Sequence, residues 1–329
     1  MKNTTFCSVI IPTIGRDTLD RAVLSVLDQD FPKSGFEVIV VNDSGSALPS
    51  RAWHSASQVR ILNTYRRERS FARNSGAAIA KGDYLAFLDD DDWLLPGAIE
   101  SFRELANRHP NADWLYGGIR IVDENNHCLA ELNSGLQGNC LAQIVGGAWA
   151  PIQASMVKSQ AFFEVGGFNP KIIGTEDEDL CRRVAYLGEF GNTTAVIACL
   201  FRGQDWATST NYLRAPGDTR YSRDLVLSAP GAFSRLLRSS PNSYWSGRIC
   251  RVYMSTVGWN LKHSKPLTAL NRAFFGCAAF IGSGLRMLSP DFWRGFKASH
   301  APGTLHFVMQ EYENRKQQET CYALKEGEA

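Results

Sequence analysis

The first hundred residues alternate between two patterns of apolar and polar positions. Short apolar, β-branched runs, "CSVIIPT", "EVIVVND", "VRILN" and "DYLAFL", predict strands buried on both faces. Between them, "DTLDRAVLSVLDQD" sets Leu19, Ala22, Val23, Val26 and Leu27 at helical spacing, and "SFARNSGAAIAKG" reads as a helix closed by Gly82. "PGAIESFRELANRHP" predicts a third helix, with Pro96 near its start and Pro110 beyond its end. Repeated βα alternation with uninterrupted apolar strands argues for an α/β fold: a mainly parallel sheet covered by helices on both faces.

The pattern then mixes. "DWLYGGIRIVDENNHCLAEL" predicts two strands around the turn "ENNH", and "PIQASMVKSQAFFEVGGF" joins a strand to a short helix ending at Gly166 and Gly167. "GTEDEDLCRRVAYLG" starts a helix at or just after Thr175, with Leu180, Val184 and Leu187 on its apolar face and Gly188 at its end. "TTAVIACLFR" predicts a strand. These readings make residues 1–215 the α/β domain and residues 216–329 a basic, mostly helical C-terminal extension. In the extension, "GRICRVYMSTVGWNLKHS" and "PLTALNRAFFGCAAFIGSGLRML" read as helices, and Leu270, Phe274, Cys277, Ile281, Leu285 and Leu288 form one stripe on the second. Its uncharged stretch from Ala273 to Leu285 is too short to span a bilayer. The stripe either packs on the main domain or lies, with the aromatics and cations of "SPDFWRGFK", on an anionic lipid surface.

Charge sharpens that division. Residues 1–200 carry 18 Lys+Arg against 24 Asp+Glu, whereas residues 201–300 carry 14 against 4. Such a split predicts a site that holds cations and a segment that either meets an anionic surface or presents a basic solvated face. A hydrophobic content of 44% and a charged content of 21% exclude wholesale disorder. The eight cysteines contain no C-x-x-C pair, which excludes a zinc knuckle or redox motif. The N-terminal apolar run in "MKNTTFCSVIIPT" is too short for a signal peptide. Reduced thiols and a cytoplasmic location are expected, and no nucleic-acid partner.

In sheets of this kind ligands bind outside the carboxyl ends of the strands. Those ends continue here as "PTIGR", "NDSG" and "DDDD". The four carboxylates Asp89 to Asp92 repel one another and resist shared burial, so a cation or water must compensate them. Any one of them is also a possible helix N-cap, Asp92 above all, but four exceed what capping needs. Hard oxygen ligands at a strand end suit magnesium or manganese, held through one or two carboxylates together with substrate phosphates. The chain has no G-x-x-x-x-G-K-[ST] and no G-x-G-x-x-G after its first strand. A nucleotidyltransferase would want a glycine-rich basic loop there, and "PTIGRDT" offers one glycine and one arginine.

The ordered set "SVIIPTIGR", "VIVVNDSG", "ARNSGAAIAKGDYLAFLDDDDWLLPGAI", "VGGFN" and "GTEDEDLCRR" resembles family 2 glycosyltransferases of the GT-A fold, over about residues 5–210. The resemblance implies that Pro12, Thr13 and Arg16 hold the nucleotide base and ribose, that Asp43 binds the base, and that Arg73 lies near the base or phosphates. Read from the residues alone, Asp43 is a turn-forming residue and Arg73 a surface helix charge. The family's D-x-D-D pattern aligns as Asp89, Asp90, Asp91 and Asp92, with a register ambiguous by one. It implies Asp91 as metal ligand, with Asp89 and its neighbour Asp90 on the nucleotide side. Thr175, Glu176 and Asp177 resemble the acceptor-side acidic motif, which makes Asp177 the general base and Glu176 its neighbour in the catalytic pair. Acids in a helix's first turn also favour the helix dipole, and Glu178 and Asp179 read as no more than that. Where many relatives carry a basic or histidine-containing segment, "LFRGQDWATSTN" offers Arg202, Asp205 and Ser209 and no histidine. The Q-x-x-R-W element of processive relatives is missing from the sequence. The implied function is inverting, metal-dependent transfer of one sugar from a nucleotide-diphospho-sugar to a hydroxyl of a glycan or lipid-linked acceptor. The implied location is the cytoplasm, peripheral on the inner face of the plasma membrane. The alternatives are a catalytically silent nucleotide-sugar-binding homologue and a nucleotidyltransferase.

Overall fold

The computed structural model describes residues 5–64, 68–202, 215–299 and 301. The chain runs β1 (Cys7–Thr13), α1 (Leu19–Leu27), β2 (Phe36–Asn42), β3 (Val59–Asn63), α2 (Arg69–Ile79), β4 (Tyr84–Phe87), β5 (Trp93–Leu94) and α3 (Ala98–Arg108). It continues through β6 (Ala112–Val122), β7 (Cys128–Leu132), α4 (Leu141–Gly146), β8 (Ser155–Lys158), α5 (Ser159–Glu164), α6 (Glu176–Leu187) and β9 (Glu189–Phe201). The extension supplies α7 (Ala215–Leu227), α8 (Ala232–Ser239), α9 (Ser243–Lys262), α10 (Pro266–Ser283) and α11 (Pro290–Lys297).

One mixed sheet orders the strands β3-β2-β1-β4-β8-β6-β9-β5, with β7 added to β6. The β3-β2-β1-β4 half is parallel, as the buried runs predict. Beyond it β8 is antiparallel to both β4 and β6, so β6 and its parallel neighbour β9 run with the first four strands and the sheet is mainly parallel, as expected, with only β5, β7 and β8 reversed. Alternate residues of the parallel strands feed two cores. Val9, Ile11, Val38 and Val40 face α1 and α3, while Ile10, Ile39 and Val41 face α2. The second core runs without a break through α4 and α6 to Ile249, Tyr253 and Phe292, so α7–α11 share the core of the sheet domain.

Two glycines set how closely α2 approaches the sheet. A Cβ on Gly76 would lie 2.5 Å from Ile10 Cγ2 and 2.9 Å from Val41 Cγ2. Gly82 does not close α2, contrary to the sequence pattern. The helix ends at Ile79, and Ala80 is already extended. Gly82 instead lies against β1, where a Cβ would meet Ser8 N at 2.4 Å. Gly82→Ala is expected to cost about 1–3 kcal/mol because backbone, not a flexible side chain, must move. An unchanged urea midpoint would refute that reading.

In the extension Ile249, Tyr253 and Phe292 are buried, whereas α10 leaves several of its large apolar residues exposed. In α10, Ala269, Arg272, Gly276, Ala279 and Ser283 face inward, and Arg272 Nε donates to Asp224 Oδ1 at 2.7 Å. The apolar stripe faces away from the domain, so the packing role open to it from the sequence is not the one observed. Among the described residues, no helix is long and apolar enough to cross a membrane.

Candidate active site

Because β1, β2 and β4 are neighbours, their carboxyl ends bring "PTIGR", "NDSG" and "DDDD" to one edge. The four aspartates then diverge. Asp90 turns toward β1 and is buried, accepting from Thr13 Oγ1 at 2.6 Å and Arg16 Nη1 at 2.5 Å. Asp89, Asp91 and Asp92 converge, each offering a carboxylate oxygen within 4.8 Å of the others. Asp92 does not cap α3, whose N-cap is the left-handed Gly97. Its Oδ1 accepts from Phe201 N at 2.9 Å, and its buried Oδ2 has no partner among the described residues.

Electrostatics divide the three. Burial, then the charges of Asp89 and Asp91, raise Asp92 well above the ordinary carboxylate value. Burial and then Asp89 raise Asp91 as well. For Asp89 burial pulls upward, but the Arg73 and Arg69 charges outweigh it and hold the group below the usual range. An orphaned buried oxygen within a triad of hard carboxylate donors fits a magnesium or manganese ion.

Arg73 joins this triad to the second acidic motif. Close packing of α2 buries its side chain, where Nη2 donates to Asp89 Oδ1 at 2.6 Å and Nη1 to Glu176 Oε1 at 2.9 Å. The guanidinium also lies 5.2 Å from the Phe168 ring centroid. Arg73 is therefore not a surface helix charge. Arg69, one turn earlier, reaches the same Glu176 oxygen at 3.4 Å. Gln153 Nε2 donates to the other Asp89 oxygen at 3.1 Å.

Glu176 and Asp177 open α6 and point apart. Glu176 is buried against Arg73, whereas Asp177 is half-buried and its Oδ1 accepts from Glu178 N at 2.8 Å. Burial, then the Glu176 and Glu178 charges, lift Asp177 to about 7. Asp179 pairs with Arg183 at 2.6 Å and Glu178 pairs with Arg182, each one turn along the helix. The loop entering α6 is held from the extension, since Asp218 Oδ2 of α7 accepts from Ile173 N at 3.2 Å and Gly174 N at 3.1 Å. "VGGFN" is held by Asn74 of α2, which accepts from Phe168 N at 2.9 Å and donates to Phe168 O at 2.8 Å.

On the other side of the edge, half-buried Pro12 stands one residue before the end of β1, and buried Asp43 accepts from Thr64 Oγ1 at 2.7 Å. Asn42, not Asp43, makes the turn-forming bond to Ser44 N, at 3.2 Å. Arg202 lies next to Asp92 and draws its pKa down, and Asp205 and Ser209 lie outside the described residues. The sequence reading missed Arg21, whose Nη2 donates to Asp91 O at 2.9 Å while its guanidinium stacks 3.8 Å from the Trp93 ring centroid. It also missed Arg69, Asn74, Gln153 and Asp218. Only Asn74, inside "ARNSG", carried any sequence signal.

A family model described as glycosyl transferase family 2 matches residues 8–158. Over residues 8–158 the chain is thus similar to family 2 glycosyltransferases. An uncharacterized glycosyltransferase of Haemophilus influenzae is 30% identical over 179 residues, 52% of this chain and 59% of that protein. The GalNAc(5)-diNAcBac-PP-undecaprenol β-1,3-glucosyltransferase of Campylobacter jejuni is 27% identical over 172 residues, 48% of this chain and 54% of that protein. The chain thus spans little more than half the length of these relatives. The crystal structure of S. aureus TarS 1–349 in complex with UDP-GlcNAc aligns with a TM-score of 0.58 at 14% identity, covering 86% of this chain and 92% of that one. That likeness shows the fold, which is of the GT-A type expected from the sequence.

Proposed function

We propose that this chain is an inverting, non-processive glycosyltransferase that moves one sugar from a nucleotide-diphospho-sugar to a hydroxyl of a glycan or lipid-linked acceptor. The observation that carries the reading is the Arg73 bridge. One buried guanidinium ties a cation-fitting carboxylate triad to the helix that presents Asp177. An inverting displacement needs a place for the charge of the leaving diphosphate and a group to take the proton of the acceptor hydroxyl. Asp177, with a pKa of about 7, is matched to taking that proton at neutral pH. Glu176, committed to Arg73 and Arg69, is the positioning residue beside it. Asp89, Asp91 and Asp92 would hold a magnesium or manganese ion, which when bound stabilises the leaving diphosphate as a Lewis acid. Pro12, Thr13, Arg16 and Asp43 occupy the strand ends where sheets of this type take a nucleoside, and Asp90 fixes Thr13 and Arg16 from behind.

The UDP-GlcNAc named in the TarS complex supports a UDP-sugar donor. The undecaprenol-linked glycan in the Campylobacter relative's name supports a lipid-linked acceptor, and with it a reaction at a membrane surface. Both acidic motifs that a silent homologue would lack are in place.

A thermal-shift series with UDP-sugars, with and without manganese, tests the donor site. Ligands that bind the folded state raise the midpoint, and manganese is expected to enlarge the rise. Asp91→Ala should remove the manganese-dependent part and keep the unliganded midpoint. No shift with any nucleotide sugar in either condition would sink the proposal.

A further inference from the structure

We propose that the outer face of α10 and the turn that follows it insert into the interface of an anionic lipid bilayer. The inference concerns where the protein sits, and it does not rest on the reaction proposed above.

The helix carries a second apolar ridge on its outer face, which a helix that meets only water does not need. A surface helix normally turns its large apolar residues to the core. Here the fully buried positions are small or polar, half-buried Phe275 and Phe280 pack on the core beside them, and Gly276 lies so close to α9 that a Cβ would stand 2.9 Å from Met254 Sδ. Leu267, Leu270, Phe274 and Ile281 point outward at steps of three, four and seven residues, and Leu285 and Leu288 continue the ridge in the next turn. Leu267, Ile281, Leu285 and Leu288 are between 79 and 85% exposed. Single exposed leucines need no explanation, but a continuous ridge marks an interaction surface. Exposed Trp293 stands beside it, 6.4 Å from Phe280 between ring centroids.

Charge identifies the occupant. Lys262 and Lys265 precede the ridge, Arg286 lies within its turn, and Arg294 and Lys297 follow on α11, all exposed. Asp291 is the sole acid between residues 225 and 300, a span that holds ten lysines and arginines. A second copy related by twofold symmetry would set these cations against themselves. An anionic headgroup layer complements them, while the hydrocarbon boundary takes the leucines and phenylalanine.

The test is flotation of the full-length protein with phosphatidylcholine vesicles, with and without phosphatidylglycerol, at low and high salt. The protein should rise with the phosphatidylglycerol vesicles at low salt, lose part of that binding at high salt, and bind phosphatidylcholine alone weakly. The double variant Phe274→Ser/Ile281→Ser should bind at least about tenfold less while keeping its thermal midpoint, since both side chains are exposed in the free protein. Failure to float with phosphatidylglycerol at low salt would overturn the proposal, as would equal flotation of the double variant. A concentration-dependent dimer that the two substitutions abolish, without vesicle binding, would reassign the ridge to a second copy.

Discussion

Asp177→Asn is expected to lower glycosyl transfer by roughly 10²–10⁴-fold, the usual contribution of a positioned acid or base, while donor affinity stays within a few-fold. The substitution keeps the side-chain shape and an oxygen that accepts from Glu178 N, but it removes the ability to take a proton. The nucleotide and metal candidates lie on other elements, so their binding has no reason to change. Two pH measurements separate this role from a structural one. Wild-type transfer should show an ascending limb near pH 7, where Asp177 loses its proton, and the variant should lose that limb. Stability should respond with the opposite sign. The folded value of about 7 lies above the unperturbed 3.8, so this group's contribution is fully present below about pH 4 and is lost as pH rises toward 7. Asn carries no such penalty, and the variant should gain stability relative to wild type above pH 7. Glu176→Gln is the control. A near-wild-type Asp177→Asn beside an inactive Glu176→Gln would move the base by one residue, and loss of donor binding in Asp177→Asn would remove it from the mechanism.

The parts of this architecture legible in the sequence are those with a local period. β1 matches its apolar run end to end because a strand buried on both faces is spelled out residue by residue, and β3 matches its run too, although it is a half-exposed edge strand. The ligand edge followed from what comes after β1, β2 and β4. The direction of β8 did not, because a four-residue strand such as "SMVK" carries no signal of which neighbour it joins. The aspartate run showed its charge but not its geometry. That Asp90 leaves the triad is decided by Thr13, and that Asp92 enters it is decided by Phe201, both distant in the chain. The period of the α10 stripe revealed a face but not whether it turned inward. Gly276 and Ala279 against α9 decided that, and their small size was a signal the apolar pattern overlooked.

Arg73→Met should cost about 3–5 kcal/mol, the usual penalty for removing one partner from a buried ion pair. In a protein of this size that lowers the thermal midpoint by roughly 10 °C. Methionine refills most of the volume, so the loss is electrostatic: Glu176 remains buried with only the 3.4 Å contact to half-exposed Arg69, and Asp89 loses its 2.6 Å partner. Arg73→Lys should recover only part of the loss, because one ammonium cannot serve two carboxylates on opposite edges of a planar fork. The double variant Arg73→Met/Glu176→Gln should cost less than the sum of its parts, with a coupling of about 0.5–3 kcal/mol, since glutamine leaves no stranded charge. The penalty should also depend on pH. The folded value of Asp89 lies below its unperturbed 3.8, so the stability it contributes is present above about pH 4 and is lost as pH falls further. Acidification below pH 4 should therefore bring wild type and Arg73→Met closer together in urea denaturation. Additive costs in the double variant, or a penalty that does not shrink with acid, would mean that the guanidinium does not hold the two acidic motifs together.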